Sequence, residues 1–199
     1  MGAKREPQHK ASRRYGMDLF GTGGASLQRR LNVPPGGNRP GVRRPTEYAR
    51  QLREKQKVKD IYGVREAQFR RYVAEAQRSG APLGRTLLEM LERRLDNVVY
   101  RLGLARTRLM ARQMISHRHV QVDGDTVTVS SYLVSPGEKI ALKADALAMP
   151  EVQEEMEARR PTVSWLRRDQ EGGEVVDRPH REEIDLDINE SLIVAFYTR

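Results

Sequence analysis

The sequence predicts an α+β fold: a mainly helical chain that holds one small helix–β-hairpin unit behind an extended, basic N-terminal arm. Three observations carry this reading. Helix signals run from the Thr46 cap to residue 116, with apolar stripes at helical spacing from Phe69 onward. The period then drops to two at Val120 and Val122, just before an Asp123-Gly124 turn. The first 44 residues are interrupted by Gly and Pro, as in "GTGGAS" and "NVPPGGNRPGVRRP", and have little apolar material to bury.

In chain order, the arm (1–44) carries Arg13, Arg14, Arg39, Arg43 and Arg44 and reads as a cationic extension that orders on nucleic acid. Thr46 is placed to cap a helix from about Glu47 to Ile61, which Gly63 ends. Within it Arg53, Lys55, Lys57 and Lys59 fall at two-residue steps, so charge wraps around the helix and leaves little apolar face. A second helix, about Arg65 to Gln77, has a Phe69, Tyr72, Val73, Ala76 stripe that reads as core, with Arg70 and Arg71 beside it. "RTLLEMLERRLDNVVYRLG" reads as one continuous helix through Leu88, Leu91, Leu95, Val98 and Leu102. Thr107 caps the next, about Arg108 to Ser116, with Arg108 and Arg112 one turn apart on its outer face. Val127 and Val129 are expected on the return strand, and "SPGEKIAL" gives a turn and a further strand. "MPEVQEEMEAR" reads as an acidic helix opened by Pro150, and Trp165 with "EGGEVV" as a hairpin. "IDLDINESLIVAFYTR" reads as a buried terminal segment.

Composition narrows the partner. The net charge is +9, with 11 Lys/Arg against 3 Asp/Glu in residues 1–50 but 7 against 13 in residues 151–199. A cationic body with an acidic tail points to a polyanion. The absence of cysteine excludes disulfides and thiolate zinc sites. No apolar run is long enough for a membrane span, and the basic start lacks the apolar core of a signal peptide, so no membrane partner is expected.

Catalytic and ligand-binding alternatives find little support. His117 and His119 flank an arginine and have no completing carboxylate nearby in sequence, so no metal is expected and phosphate or base contact is the better reading. "GTGGAS" lacks the Lys-Ser/Thr pair and preceding strand of a nucleotide loop. The tripeptide Arg94-Leu95-Asp96 is similar to one that carries the catalytic Asp in pseudouridine synthases. Here it falls within the helical stripe, and residues 151–199 are too few for a catalytic domain. No enzymatic activity is therefore expected.

"ERRLDNVVYRLG…ARTRLMARQMISHRHVQVDGDTVTVSSYLVSPGEKIAL" closely resembles the small RNA-binding module named after ribosomal protein S-four. The flanking "YARQLREKQKVKDIYGVREAQFRRYV", "KASRRYGMDLF" and "DINESLIVAFYTR" resemble the bacterial small-subunit ribosomal protein S-four (uS-four) family itself. The module alone also occurs in synthetases, pseudouridine synthases and heat-shock RNA binders, so the flanking matches carry the weight. The resemblance implies a helical domain (45–90) completed by the acidic C-terminal segment (151–199), with the module (91–150) inserted between. It implies a monomeric, cytoplasmic, ribosome-bound, non-catalytic protein without cofactor. Its partners would be small-subunit ribosomal RNA, whose 5′ domain it would nucleate, messenger RNA at the entry channel, and ribosomal proteins S-three and S-five, with an influence on decoding accuracy. Some relatives bind zinc through cysteines in the arm; His9 and Ser12 stand at the first two of those positions, so a zinc-free arm is expected. Residues 34–41 read "PPGGNRPG" where relatives carry a "PGQHG" loop.

The candidate RNA-binding residues are Arg13, Arg14, Arg44, Arg50, Arg53, Lys55, Lys57, Lys59, Arg70, Arg71, Arg106, Arg108, Arg112, His117 and His119. The planar fork of arginine suits paired phosphate oxygens, and lysine acts more as a point charge. Duplex RNA hides its major groove, so recognition of shape and phosphates is expected over sequence. A free RNA chaperone that uses only the module remains the alternative binder.

Overall fold

The computed structural model describes residues 7–21, 23–36, 45–158, 161–184 and 187–198. In chain order these form helices α1 (Gln8–Tyr15), α2 (Ala25–Gln28), α3 (Glu47–Tyr62), α4 (Glu66–Arg78), α5 (Leu83–Glu92), α6 (Leu95–Arg101) and α7 (Arg108–Ser116). Strands β1 (Val120–Val122), β2 (Asp125–Thr126) and β3 (Lys139–Leu142) follow, then α8 (Ala144–Leu147), α9 (Pro150–Glu157), β4 (Leu166–Arg168), β5 (Gly172–Val175) and α10 (Glu190–Tyr197). The chain divides into two compact units, residues 1–65 with 188–199, and residues 66–187.

In the first unit the Thr46 hydroxyl accepts from the Ala49 amide (3.2 Å), and α3 ends at Gly63 in the left-handed region (φ +59°). α10 starts on an equivalent cap, the Asn189 side chain accepting from the Leu192 amide (3.3 Å), and packs along α3. The terminal apolar run is therefore a helix, and its Ile193 is buried. α3 buries more than its charge pattern promises, including Val58, Ile61 and Tyr62. The arm is not irregular throughout. α1 and α2 form because Ala11, Leu19 and Leu27 find a core, each at most 6% exposed. Residues 37–44, which include Arg39, Arg43 and Arg44, lie outside the described residues.

The second unit is built on an antiparallel sheet of order β2-β1-β3-β5-β4. α6 and α7 pack on each other, and Leu95, Val98, Leu102, Ile115, Val120 and Ile140 form the centre of its core. The compact units divide between residues 65 and 66. α4 buries Phe69, Tyr72, Val73 and Ala76 and packs on α5, so residues 66–90 belong here. The hairpin near Trp165 is the predicted one, but β5 pairs with β3 (Ile140 opposite Gly173), and Trp165, Leu166 and Val175 enter the same core. Only residues 188–199 of the tail return to the first unit. The β3–β5 approach depends on glycine: a Cβ at Gly172 would run into the Ile140 carbonyl oxygen, and one at Gly173 would lie 2.6 Å from Leu102 Cδ2.

Two local expectations are corrected. The stripe read as one helix breaks at Arg94, which is extended (ψ 135°) and forms an isolated β-bridge with Leu133. The Val134 amide bonds the Arg93 carbonyl (2.9 Å) and the Leu95 amide bonds that of Tyr132 (2.8 Å), so a tertiary strand contact replaces one helical turn. The return strand covers only Asp125–Thr126, and Val129 is exposed.

Candidate nucleic-acid interface

In the second unit two buried carboxylates organise the arginines of α6 and α7. Asp96, 1% exposed, accepts two bonds from Arg94 (3.0 and 2.7 Å) and a bond from Arg112 Nε (3.0 Å). Arg94 also donates to the Tyr72 hydroxyl (2.7 Å). Glu92, likewise 1% exposed, accepts from the Asn97 amide nitrogen (2.7 Å) and from Arg101 (3.1 and 3.0 Å). The Asn97 oxygen in turn accepts from Arg108 Nε (2.7 Å), and the Arg108 guanidinium lies 4.4 Å from the Tyr100 ring centre. Buried ions persist only when paired and hydrogen-bonded, and each arginine here has such a partner. Arg108 and Arg112 thus do not stand on the outer face. They turn onto α6, because the carboxylate and amide of Asp96 and Asn97 lie beneath α7. Asp96 is likewise the polar centre of a structural clamp.

Other cations of this unit point outward. Arg70 and Arg71 are exposed on α4; Arg70 pairs with Glu66 one turn back (3.2 Å), and Arg71 has no partner among the described residues. Arg106, in the loop between α6 and α7, is exposed and unpartnered among the described residues. His117 is exposed at the end of α7, 6.2 Å ring to ring from His119. His119 is half-buried, with Nδ1 3.1 Å from Asp145 Oδ2. The carboxylate beside His119 is remote in sequence: α8 brings Asp145 back from 26 positions away. Among the described residues no three His, Cys, Asp or Glu side chains are grouped to hold a metal ion. Arg118, between the two histidines, is exposed, and "ISHRHV" has no glycine between helix and strand.

The first unit also uses part of its cations internally. Arg13 Nε donates to the Val33 carbonyl (2.9 Å), which ties α1 to the end of the α2 segment. Arg53 donates to the Arg14 carbonyl (2.7 Å) with its guanidinium 5.9 Å from the Tyr15 ring centre, and the Tyr15 hydroxyl donates to Asp60 (2.9 Å). Burial and the neighbouring Asp60 push the Tyr15 phenol well above its ordinary value. Lys55 and Lys57 contradict their placement on an RNA-facing surface: they are 4% and 7% exposed. Lys55 lies under α10 with its ammonium 4.5 Å from the centre of the Phe196 ring, and Lys57 is 3.7 Å from Glu54. A long aliphatic stem and a cation–π contact let lysine fill an interface between helices. Lys59 is half-buried and donates to Gln56 (3.3 Å). Arg14, Arg50 and Arg53 retain exposure, Arg50 paired with Glu47.

Among the described residues no helix is long and apolar enough to cross a membrane. A model of the S4 domain matches residues 93–140, starting where α5 ends, and a model of the ribosomal protein S4/S9 N-terminal domain matches residues 3–92. The chain is 45% identical over 196 residues to the small ribosomal subunit protein uS4 of Geobacillus stearothermophilus, covering 97% of each chain. It is 45% identical over 205 residues to that of Herpetosiphon aurantiacus, again covering 97% of each. With the uS4 of Salinibacter ruber it shares 40% identity over 201 residues and the full length of both chains. Both domain matches and these full-length relatives agree, and the chain belongs to the uS4 family of small ribosomal subunit proteins.

Proposed function

We propose that this protein is a primary binder of small-subunit ribosomal RNA that nucleates assembly of the 5′ domain, lies at the messenger-RNA entry region beside ribosomal proteins S-three and S-five, and influences decoding accuracy. As a member of its family it is a structural, non-catalytic, ribosome-bound component of the cytoplasmic small subunit that binds ribosomal RNA. The observation that carries the finer reading is the near-full-length identity to uS4 proteins, through both the S4 domain and the domain before it. Side-chain exposure supports a narrower RNA-facing set. Arg14, Arg50, Arg53, Arg70, Arg71, Arg106 and His117 are exposed and form the proposed phosphate-facing set. Arg13, Lys59, Arg108, Arg112 and His119 position the segments that carry it. The protein acts as one copy per subunit.

The test is equilibrium binding to a transcript of the 5′ domain of small-subunit ribosomal RNA, against an unrelated structured RNA of equal length. Tight, salt-sensitive preference for the 5′ domain is expected, because phosphate contacts release counterions. Equal affinity for both would contradict the reading and favour a free RNA chaperone. Stoichiometric co-sedimentation with the small subunit on a sucrose gradient is expected in cells, and its absence would contradict a subunit role.

A further inference from the structure

Arg118 occupies the place where a helix usually ends on glycine. α7 closes with the His119 amide bonded to the Met114 carbonyl (3.0 Å) and the Arg118 amide to that of Ile115 (3.0 Å). This turn holds Arg118 at φ +67°, in the left-handed region, where a Cβ is crowded and glycine is not. Among the described residues the other non-glycine with positive φ is Asp123, in the Asp-Gly turn where that residue type is tolerated. Arginine has no comparable local reason to be there. Its guanidinium makes no hydrogen bond or ion pair with any described residue, so it does not cap the last carbonyls of α7, and it is exposed. The turn is nonetheless fixed on its far side: the His119 carbonyl accepts from the Lys143 amide (2.9 Å), and the His119 ring meets Asp145. A strained backbone, held from both sides, presents a cation that the fold does not use. Strain kept at a position where glycine would relieve it points to a function of the side chain.

We propose that Arg118 is a phosphate-binding residue of the module, aimed by the rigid α7–β1 turn at the backbone of structured RNA. This inference rests on the RNA-binding reading above. It makes an opposed pair of expectations for Arg118→Gly in the full-length protein. Glycine relieves the left-handed strain, so the melting temperature should rise by about 1–3 °C. Loss of one phosphate contact should weaken binding to the 5′-domain transcript about 3- to 10-fold near ~0.1 M salt, and make the slope of log K against log salt shallower by about one. Arg118→Lys keeps the charge and the strain, so it should retain the wild-type slope and melting temperature. Unchanged affinity and slope in Arg118→Gly, with wild-type binding intact, would overturn the proposal alone. A fall in melting temperature for Arg118→Gly would assign the charge to the helix end, where a cation favours the dipole, and would also overturn it. Failure of the wild type to prefer the 5′-domain transcript would remove the parent reading, which the variant data cannot mimic.

Discussion

The two units bury positive charge by different means. In residues 66–187 the arginines of the α6–α7 pair meet buried acceptors, Asp96, Glu92 and Asn97, in a hydrogen-bonded network. In the first unit Lys55 is buried where α10 lies on α3, its ammonium against an aromatic ring, and Arg13 and Arg53 tie backbone carbonyls of the arm. A guanidinium can satisfy several acceptors at once, whereas an ammonium on a long stem can slide under a ring. The difference teaches that a basic stretch in this chain is not one surface. It contains cations that hold the fold and cations that the fold leaves unused, and only the nearby acceptors distinguish them.

The comparison breaks most readily at Asp96. Asp96→Asn leaves Arg94 and Arg112 sharing a neutral acceptor in a buried site, and should cost about 3–5 kcal/mol in urea unfolding of the second unit. The α3 amides of the first unit should keep their hydrogen-exchange protection. Trp165→Ala should cost about 3–5 kcal/mol by opening a cavity in the same core, so the transition of the second unit should shift again. A shift confined to residues 1–65 would contradict the place of the tail hairpin. Lys55→Ala should cost less, about 1–2 kcal/mol, and loosen α10, read as faster exchange at the Ile193 and Val194 amides.

Each unit holds a raised tyrosine, Tyr15 in the first and Tyr132 in the second, so alkaline pH probes both. The hydrogen bond to Glu138 pushes the Tyr132 phenol up to about 12. A raised tyrosine binds its proton more tightly folded than unfolded. Its contribution is therefore complete below the unfolded value near ~10 and lost as pH rises through the folded one. The urea midpoint of the second unit should fall between about pH 10 and pH 12, and Tyr132→Phe should flatten that fall. A midpoint unaffected by the substitution would contradict the Tyr132–Glu138 bond.

Much of this architecture is legible in the sequence. The Thr46 and Thr107 caps, the Gly63 stop and the Asp123-Gly124 turn define α3, α7 and the first hairpin because they act through local backbone bonds. The break at Arg94 is not legible, since Leu91, Leu95 and Val98 keep helical spacing across it and the competing partner, Leu133, is remote in sequence. Lys55 and Lys57 misled for a related reason: hydrophobicity assigns lysine to solvent, while the Phe196 that covers Lys55 lies at the other end of the chain. The turning inward of Arg108 and Arg112 depended on carboxyl and amide groups on a separate helix, which helical spacing within α7 cannot reveal.

The central claim is that exposed cations bind RNA while inward cations paired with buried acceptors hold the fold. Its most direct test measures the salt dependence of binding to the 5′-domain transcript for Arg71→Gln, Arg106→Gln and Arg112→Gln, together with their unfolding midpoints. The account expects the first two to change stability by less than about 0.5 kcal/mol and to make the salt slope shallower by about one each. Arg112→Gln should lower stability clearly and leave the slope of the folded protein unchanged. A slope that falls for Arg112→Gln and stays constant for Arg71→Gln and Arg106→Gln would contradict it.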